Sequence, residues 1–190
     1  MERLLDYVAQ IRDEFQAAAV YRSGRPAGVA DRTSRHCLRR PTIGPFEETL
    51  KPLVDALLPS ALRLLGLFEP TAVAREFEFC AYGDGGLFAE HHDILPRGRP
   101  RIVSCVYYFF REPVRFAGGE LRLYAWPQFA ASAESAWIDI APVCDSLVIF
   151  PSALRHEVRP VRCPSNDWRD QRFTINAWAY RPDTAMGEEA

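Results

Sequence analysis

The sequence predicts a mainly β protein, a sandwich or barrel of short strands with two N-terminal helices packed against one sheet. After Phe68, short runs rich in β-branched and aromatic residues follow one another, separated by Gly, Pro, Asp and Asn. These runs are AREFEFCAY, RIVSCVYYFF, GGELRLYAW, AWIDIAP, DSLVIFP, HEVRPV and RFTINAWAY. No segment of helical length separates them, so we expect the strands to pair with one another through turns.

Two sets of apolar residues recur at helical spacing before Phe68 and predict the supporting helices. The first set is Leu4, Val8, Ile11 and Phe15, and the second is Leu50, Val54, Leu57, Ala61 and Leu64. Because proline lacks a backbone N–H, we expect a break or kink of the second helix at Pro59. We divide this single domain into a helical support region (1–70), a β core (71–181) and a tail (182–190).

The segment between the helices is rich in arginine. Six arginines fall between Arg22 and Arg40, against the single acid Asp31. One interpretation is a solvated loop. The other is a segment that covers the mouth of a site and meets an acidic group of a substrate.

Composition and charge exclude several classes of protein. Hydrophobic residues make up 48% and charged residues 25% of the chain, as in ordinary globular domains. The net charge of -2 gives no field that attracts nucleic acid or an anionic membrane, so we expect neither partner. The charged N-terminus and the lack of an 18-residue apolar run predict a cytoplasmic protein without a signal peptide. The five cysteines contain no CxxC pair and are predicted to be free thiols.

A candidate metal site lies at the sequence His91, His92, Asp93. Residues two apart in an extended chain project to the same side, so His91 and Asp93 converge while His92 points away. His156, 65 residues after His91, is the candidate for a third ligand. Two histidines and one carboxylate on one face leave open positions, as in iron(II) oxygenases. A histidine bonded to a backbone carbonyl and a zinc site remain alternatives, although the HExxH of helical zinc sites is absent.

The motifs from Tyr82 to Tyr180 together resemble a known family, the 2-oxoglutarate- and iron(II)-dependent oxygenases of the prolyl 4-hydroxylase type. The similarity is greatest to the oxygen-sensing HIF prolyl hydroxylases and their bacterial relatives. Five motifs carry it in order: YGDGGLFAEHHD, RIVSCVYYFF, AGGELRLY, LVIFPSALRHEVRPV and RFTINAWAY. The resemblance implies a double-stranded β-helix, also called a jelly roll.

The resemblance also implies roles for individual residues. It identifies His91, Asp93 and His156 as the iron ligands, Arg172 and Tyr108 as binding the distal carboxylate of 2-oxoglutarate, Tyr82 as lying near its metal-chelating end, and Trp178 as lining the site. Trp178 is equally compatible with a core tryptophan. The 16 residues from His156 to Arg172 exceed the usual gap of the family, which leaves three rival basic residues. These are Arg159, Arg162 and Arg169.

The implied activity is hydroxylation of a prolyl or other residue of a protein or peptide. Iron(II), 2-oxoglutarate and O2 would be required, ascorbate is a candidate reductant, and succinate and CO2 would be released. The alternatives are hydroxylation of a free amino acid or other small metabolite and a non-catalytic jelly-roll binding module.

Overall fold

A computed structural model describes residues 1–19, 31–67, 72–94, 101–126 and 136–180. Within these ranges the α-helices are α1 (Glu2–Gln10) and α2 (Glu47–Leu64), and short 3-10 helices span Arg12–Glu14, Gly44–Phe46 and Trp168–Asp170. The strands are β1 (Gln16–Ala17), β2 (Arg35–His36), β3 (Leu38–Arg40), β4 (Val73–Tyr82), β5 (Leu87–His91), β6 (Arg101–Phe109), β7 (Ala117–Gly118), β8 (Leu121–Tyr124), β9 (Trp137–Ile140), β10 (Ser146–Pro151), β11 (His156–Val158), β12 (Val161–Arg162) and β13 (Arg172–Tyr180).

The strands form two main antiparallel sheets, which confirms the predicted mainly β architecture. The larger sheet has the order β1-β3-β4-β13-β6-β10, and the smaller one has the order β2-β5-β11-β8-β9. β12 pairs separately with β7. Between the main sheets, Leu121 and Leu123 of β8 pack against Phe150 of β10. The pairing of β13 with both β4 and β6 places the last strand inside the larger sheet.

Both helices cover the outer face of the larger sheet, as predicted. Leu5 and Val8 of α1 and Leu58 of α2 belong to one buried cluster with Phe79 of β4 and Phe173 of β13. The Trp168 indole, beside the start of β13, donates a hydrogen bond of 3.0 Å to the carbonyl of Val8. Apolar burial on this face thus holds the N-terminal helices against the sheet. The boundaries at residues 70 and 181 stay predictions.

Two expectations about α2 are corrected. Its buried residues are Val54, Leu58 and Leu62, whereas Leu57 is 50% and Leu64 is 89% exposed. Apolar residues lie on more than one side of α2, so its sequence is compatible with two overlapping buried faces. A break at Pro59 is also wrong, because α2 continues through this residue and carries buried leucines on both sides, while a kink there stays a prediction. No described helix is long and apolar enough to cross a membrane.

The arginine-rich segment contributes a strand to each sheet. β2 pairs with β5 of the smaller sheet, and β3 pairs with β4 of the larger one. The solvated-loop interpretation is therefore wrong for residues 35–40, while Arg22 and Arg25 lie outside the described residues. All five cysteines are free, and four of them are buried, as predicted.

Candidate metal centre and co-substrate pocket

Two strands of the smaller sheet bring the candidate metal ligands together. His91 is the last residue of β5, His156 is the first residue of β11, and the two are direct partners in the ladder. Asp93 follows β5 and its backbone N–H bonds to the Ser152 carbonyl at 2.9 Å. Asp93 Oδ1 lies 3.7 Å from His91 Nε2, and Asp93 Oδ2 lies 3.6 Å from His156 Nε2. One ligand atom from each residue lies within 4.8 Å of the others, which is the spacing needed to hold one ion.

Backbone carbonyls fix the orientation of both imidazoles. His91 Nδ1 bonds to the Ala89 carbonyl and His156 Nδ1 bonds to the Leu154 carbonyl, each at 2.8 Å. Because a carbonyl only accepts, each Nδ1 carries the hydrogen and each Nε2 directs a lone pair into the cluster. Burial, with His156 nearby, lowers the pKa of His91 to about 3, so this ligand is neutral. Both imidazoles thus direct Nε2 into the cluster, as a metal site requires, and the carbonyl-bonded alternative is part of the same arrangement.

The Asp93 carboxylate is held by residues of the larger sheet. Its Oδ2 accepts hydrogen bonds from Ser104 Oγ at 2.6 Å and from Trp178 Nε1 at 2.9 Å. Ser104 in turn lies 2.9 Å from Ser152 Oγ. Burial opposes ionisation of Asp93, but the two imidazoles and these two donors outweigh it and lower its pKa. Neither serine was predicted as a site residue, because nothing in the sequence distinguishes Ser104 within β6, or Ser152 in the turn after β10, from an ordinary packing residue.

The other two histidines are outside the cluster, as expected. His92 is exposed, and His36 Nδ1 bonds to the Gly85 carbonyl at 3.0 Å. Among the residues that the structure describes, only His91, Asp93 and His156 form a group of three His, Cys, Asp or Glu side chains spaced for a metal ion.

A buried arginine with unpaired donors lies in the same pocket. Arg172, the first residue of β13, is 1% exposed, and its guanidinium carbon lies 4.9 Å from the ring centroids of both Tyr82 and Tyr108. Within the described part of the chain, Arg172 Nε and Nη1, the Tyr108 hydroxyl and Thr174 Oγ1 are buried without a hydrogen-bond partner. Burial raises the pKa of Tyr108, so its hydroxyl keeps its proton. Unpaired buried donors are unfavourable, and this set fits a carboxylate that accepts from all of them.

Gly119, the second glycine of the AGGELRLY motif, makes room for Arg172. A Cβ at Gly119, where φ is +74°, would lie 2.6 Å from Arg172 Cδ. Only glycine leaves room for the arginine here, and only glycine adopts this φ without strain. The rival arginines are elsewhere: Arg159 pairs with Glu157 and Arg169 pairs with Asp6.

The pocket between the sheets has a volume of about 810 Å³. The predicted ligands line it together with Arg172, Tyr82 and Trp178, whereas Arg159, Arg162 and Arg169 do not. Tyr108 is fully buried behind Arg172. The structure therefore brings every residue singled out by the resemblance to one cavity or its immediate wall.

Comparison with known proteins agrees with this geometry. The family model of the 2OG-Fe(II) oxygenase superfamily matches residues 77–180. An uncharacterized PKHD-type hydroxylase of Synechocystis is 38% identical over 133 residues, which are 68% of this chain and 44% of that protein. Human Egl nine homolog 1 is 27% identical over 133 residues, which are 68% of this chain and 28% of that protein. The chain thus spans less than half the length of these two curated relatives.

A solved structure extends the match to the fold. The prolyl hydroxylase of Trichoplax adhaerens, in complex with a peptide fragment of the hypoxia-inducible factor oxygen degradation domain, superposes with a TM-score of 0.68. It is 20% identical, and the match covers 95% of this chain and 76% of that one. The implied double-stranded β-helix is confirmed. With a family model that matches more than half of its length, the chain belongs to the 2OG-Fe(II) oxygenase superfamily.

Proposed function

We propose that the chain is a dioxygenase that uses iron(II), 2-oxoglutarate and O2 to hydroxylate a prolyl or other residue of a protein or peptide. The observation that carries the proposal is the presence, in one pocket, of a three-ligand cluster and a buried arginine with unpaired donors. The prolyl hydroxylases among its relatives support the choice of substrate class. A binding module that had lost its chemistry would have no reason to keep both features.

The three ligands would hold the metal through His91 Nε2, His156 Nε2 and the Asp93 carboxylate. Bound iron(II) supplies the activation of O2, which is consumed with 2-oxoglutarate to give succinate, CO2 and the hydroxylated substrate. The protein keeps His91 neutral and the Asp93 carboxylate ionised, and three ligands on one side leave positions for the co-substrate. Zinc has no role in this chemistry, since it has no redox activity.

Arg172 would bind the distal carboxylate of 2-oxoglutarate, with Tyr108 and Thr174 as further donors. A planar guanidinium meets a carboxylate through two parallel hydrogen bonds, which fixes the direction of the co-substrate. Tyr82 closes the other side of Arg172 and lines the pocket. Trp178 acts on Asp93 rather than on the co-substrate, because its indole N–H donates to the Asp93 carboxylate.

Apolar side chains line the space beside the cluster and would keep water away from the reacting atoms. Phe88, Val106, Leu121 and Phe150 line this part of the pocket. Hydroxylation of a small metabolite remains the alternative to a peptide substrate. The cytoplasmic location and the absence of nucleic-acid and membrane partners stay predictions from the sequence.

The first test measures succinate formed from 2-oxoglutarate by the purified protein with iron(II), ascorbate and air. Native protein should form succinate even without its substrate, at a slow rate. Asp93→Ala should form none, because two imidazoles alone do not hold a catalytic iron. Asp139→Ala is the matched control, since its carboxylate lies on the edge strand β9 and pairs with Arg122. Equal succinate from native protein and Asp93→Ala would contradict the proposal.

A further inference from the structure

A second charged cluster lies in the pocket, away from Arg172. Glu78 of β4 has only 6% of its side chain exposed and pairs with two arginines of the arginine-rich segment. Arg35 Nη2 lies 3.1 Å from Glu78 Oε1, and Arg39 Nε lies 3.0 Å from Glu78 Oε2. All three residues line the pocket. We call Arg35, Arg39 and Glu78 the arginine pair cluster.

The cluster carries one positive charge more than its carboxylate neutralises. Among the described residues, Glu78 is the only acid in ion-pair contact with Arg35 or Arg39. Arg35 Nε is buried and has no hydrogen-bond partner there. Arg101, another charged residue of the wall, pairs with Glu76. A buried, unpaired guanidinium N–H beside an open cavity is a site for an anion.

The cluster lies close to the metal ligands. The Arg35 guanidinium carbon is 4.4 Å from the ring centroid of Phe88, and that ring stacks on His91 with centroids 3.5 Å apart. One aromatic ring therefore separates Arg35 from a metal ligand. An anion bound at Arg35 would place its neighbouring carbon atoms beside the cluster of His91, Asp93 and His156.

The cluster is also separate from the Arg172 site. Glu78 is the partner of Asn176 across the β4–β13 ladder, and the Asn176 amide lies 3.5 Å from Glu78 Oε1. Asn176 is four residues along β13 from Arg172, a distance of about 13 Å in an extended strand. The Arg35 guanidinium contacts Phe88 and Glu78, whereas the Arg172 guanidinium lies against two tyrosine rings, so the two arginines occupy different parts of the pocket wall. The distal carboxylate of 2-oxoglutarate therefore does not account for the free donor of Arg35.

We propose that Arg35, supported by Arg39, binds a carboxylate of the substrate. The inference rests on the proposed function and names the substrate class: a molecule that carries a carboxylate next to the hydroxylated residue. An acidic side chain adjacent to the target in a peptide and the free carboxylate of an amino acid both supply it. Glu78 orients the two guanidinium groups and neutralises only one of their two positive charges, so the site stays selective for an anion.

A purely structural role makes a different prediction. Arg35 belongs to β2 of the smaller sheet and Glu78 to β4 of the larger one, so their ion pair also joins the sheets. If joining the sheets were its whole role, loss of Arg35 would lower the free energy of unfolding and would weaken all ligands alike. An anion site, in contrast, binds a carboxylate more tightly than the corresponding uncharged amide.

The test measures equilibrium binding by calorimetry to protein loaded with iron(II) and 2-oxoglutarate without O2, so that no turnover occurs. One probe set consists of capped tetrapeptides with Glu or Gln directly before or after a proline. The other set is L-proline and L-prolinamide. Native protein should bind the carboxylate member of one set about tenfold more tightly than its amide, as expected for hydrogen bonds to a charged group. The set that shows the preference identifies the source of the carboxylate.

Arg35→Gln should remove this preference by weakening the carboxylate member alone. Arg122→Gln is the matched control, because Arg122 also pairs with a carboxylate, Asp139, but lies outside the pocket. If thermal unfolding shows that Arg35→Gln does not fold, Arg39→Gln should reduce the preference instead.

Three outcomes would overturn the inference: no carboxylate preference in native protein, equal weakening of both members in Arg35→Gln, or a change confined to 2-oxoglutarate binding. The proposed function fails separately. Native protein that forms no succinate in air yet keeps a carboxylate preference abolished by Arg35→Gln would refute the dioxygenase and leave the anion site standing.

Discussion

The two faces of β13 differ in kind, although both are buried. The outer face packs against the helices and consists of Phe173, Ile175, Ala177 and Ala179. The inner face lines the pocket and consists of Arg172, Thr174, Asn176 and Trp178. Phe173 is 0% and Arg172 is 1% exposed, so solvent exposure does not separate the two faces.

What separates the faces is whether their atoms have partners. On the outer face, apolar groups are in contact with apolar groups, which is the arrangement that stabilises a fold. On the inner face, donors of Arg172 and Thr174 are buried without partners, which costs free energy until a ligand arrives. Residues on the outer face of β13 therefore contribute mainly to the stability of the fold, and residues on its inner face contribute mainly to ligand binding. Substitutions on the two faces should have different effects.

The largest effect is expected from Phe173→Ala. It removes a fully buried ring that stacks on Phe109 and meets Trp168 edge-on, so the free energy of unfolding should fall by about 3–5 kcal/mol. Chemical denaturation measures it. Thr174→Val, at the next residue, should leave the free energy of unfolding nearly unchanged, because the removed hydroxyl has no partner in the described structure. Similar losses from both substitutions would remove the distinction between the faces.

Arg172→Gln should raise the 2-oxoglutarate concentration for half-maximal succinate formation about tenfold to a hundredfold. The substitution removes charge-assisted hydrogen bonds to the distal carboxylate while keeping much of the side-chain volume. Arg169→Gln is the control. Arg169 was an alternative candidate in the sequence for binding the co-substrate carboxylate, but its guanidinium pairs with Asp6 at the surface. A larger effect at Arg169 would reassign the co-substrate site.

Gly119→Ala should raise the same requirement by a smaller factor than Arg172→Gln, because the new Cβ displaces Arg172 without removing it. Its positive φ should also lower the free energy of unfolding by about 1 kcal/mol. Gly66→Ala measures the effect of the backbone conformation alone on the free energy of unfolding, because Gly66 has φ +67° and nothing lies within 4 Å of the added Cβ. If both variants kept a native 2-oxoglutarate requirement, the Gly119 contact would be irrelevant to the site.

The smallest effect is expected from Trp178→Phe. Phenylalanine keeps a ring against Arg101 but loses the N–H that bonds to Asp93, while Ser104 still donates to the same oxygen. We expect the iron(II) concentration for half-maximal activity to rise about tenfold. Trp137→Phe, on the edge strand β9, should change nothing. An unchanged iron requirement in Trp178→Phe would make Trp178 a packing residue only.

The sequence predicted the fold class and the convergence of His91 and Asp93 because both depend on local patterns, whereas His156, the third member of the candidate site, is 65 residues away from His91. Alternating apolar residues reveal strands, and the spacing of His91 and Asp93 places both on one side of an extended chain. β5 was missed as a strand because glycines precede it and its composition is mixed. The buried face of α2 was misjudged because its apolar residues fit more than one stripe.

The arginine pair cluster could not be predicted, because its contacts are distant in the chain. Arg35 and Glu78 are 43 residues apart and belong to different sheets. The available signal was Glu78 itself, a charged residue between Phe77 and Phe79 in a strand with two covered faces. Such a residue must find a partner, but the sequence does not say which one.

The bonds from His91 and His156 to carbonyls two residues earlier have a consequence for the choice of metal. The strands and these carbonyl bonds set the positions of two nitrogen donors and one carboxylate, a combination that several divalent metals accept. Affinities for such nitrogen and oxygen donors rise from manganese through iron and cobalt to nickel and copper. Nickel or cobalt should therefore compete with iron for the stripped protein, and cellular supply contributes to which metal the site holds.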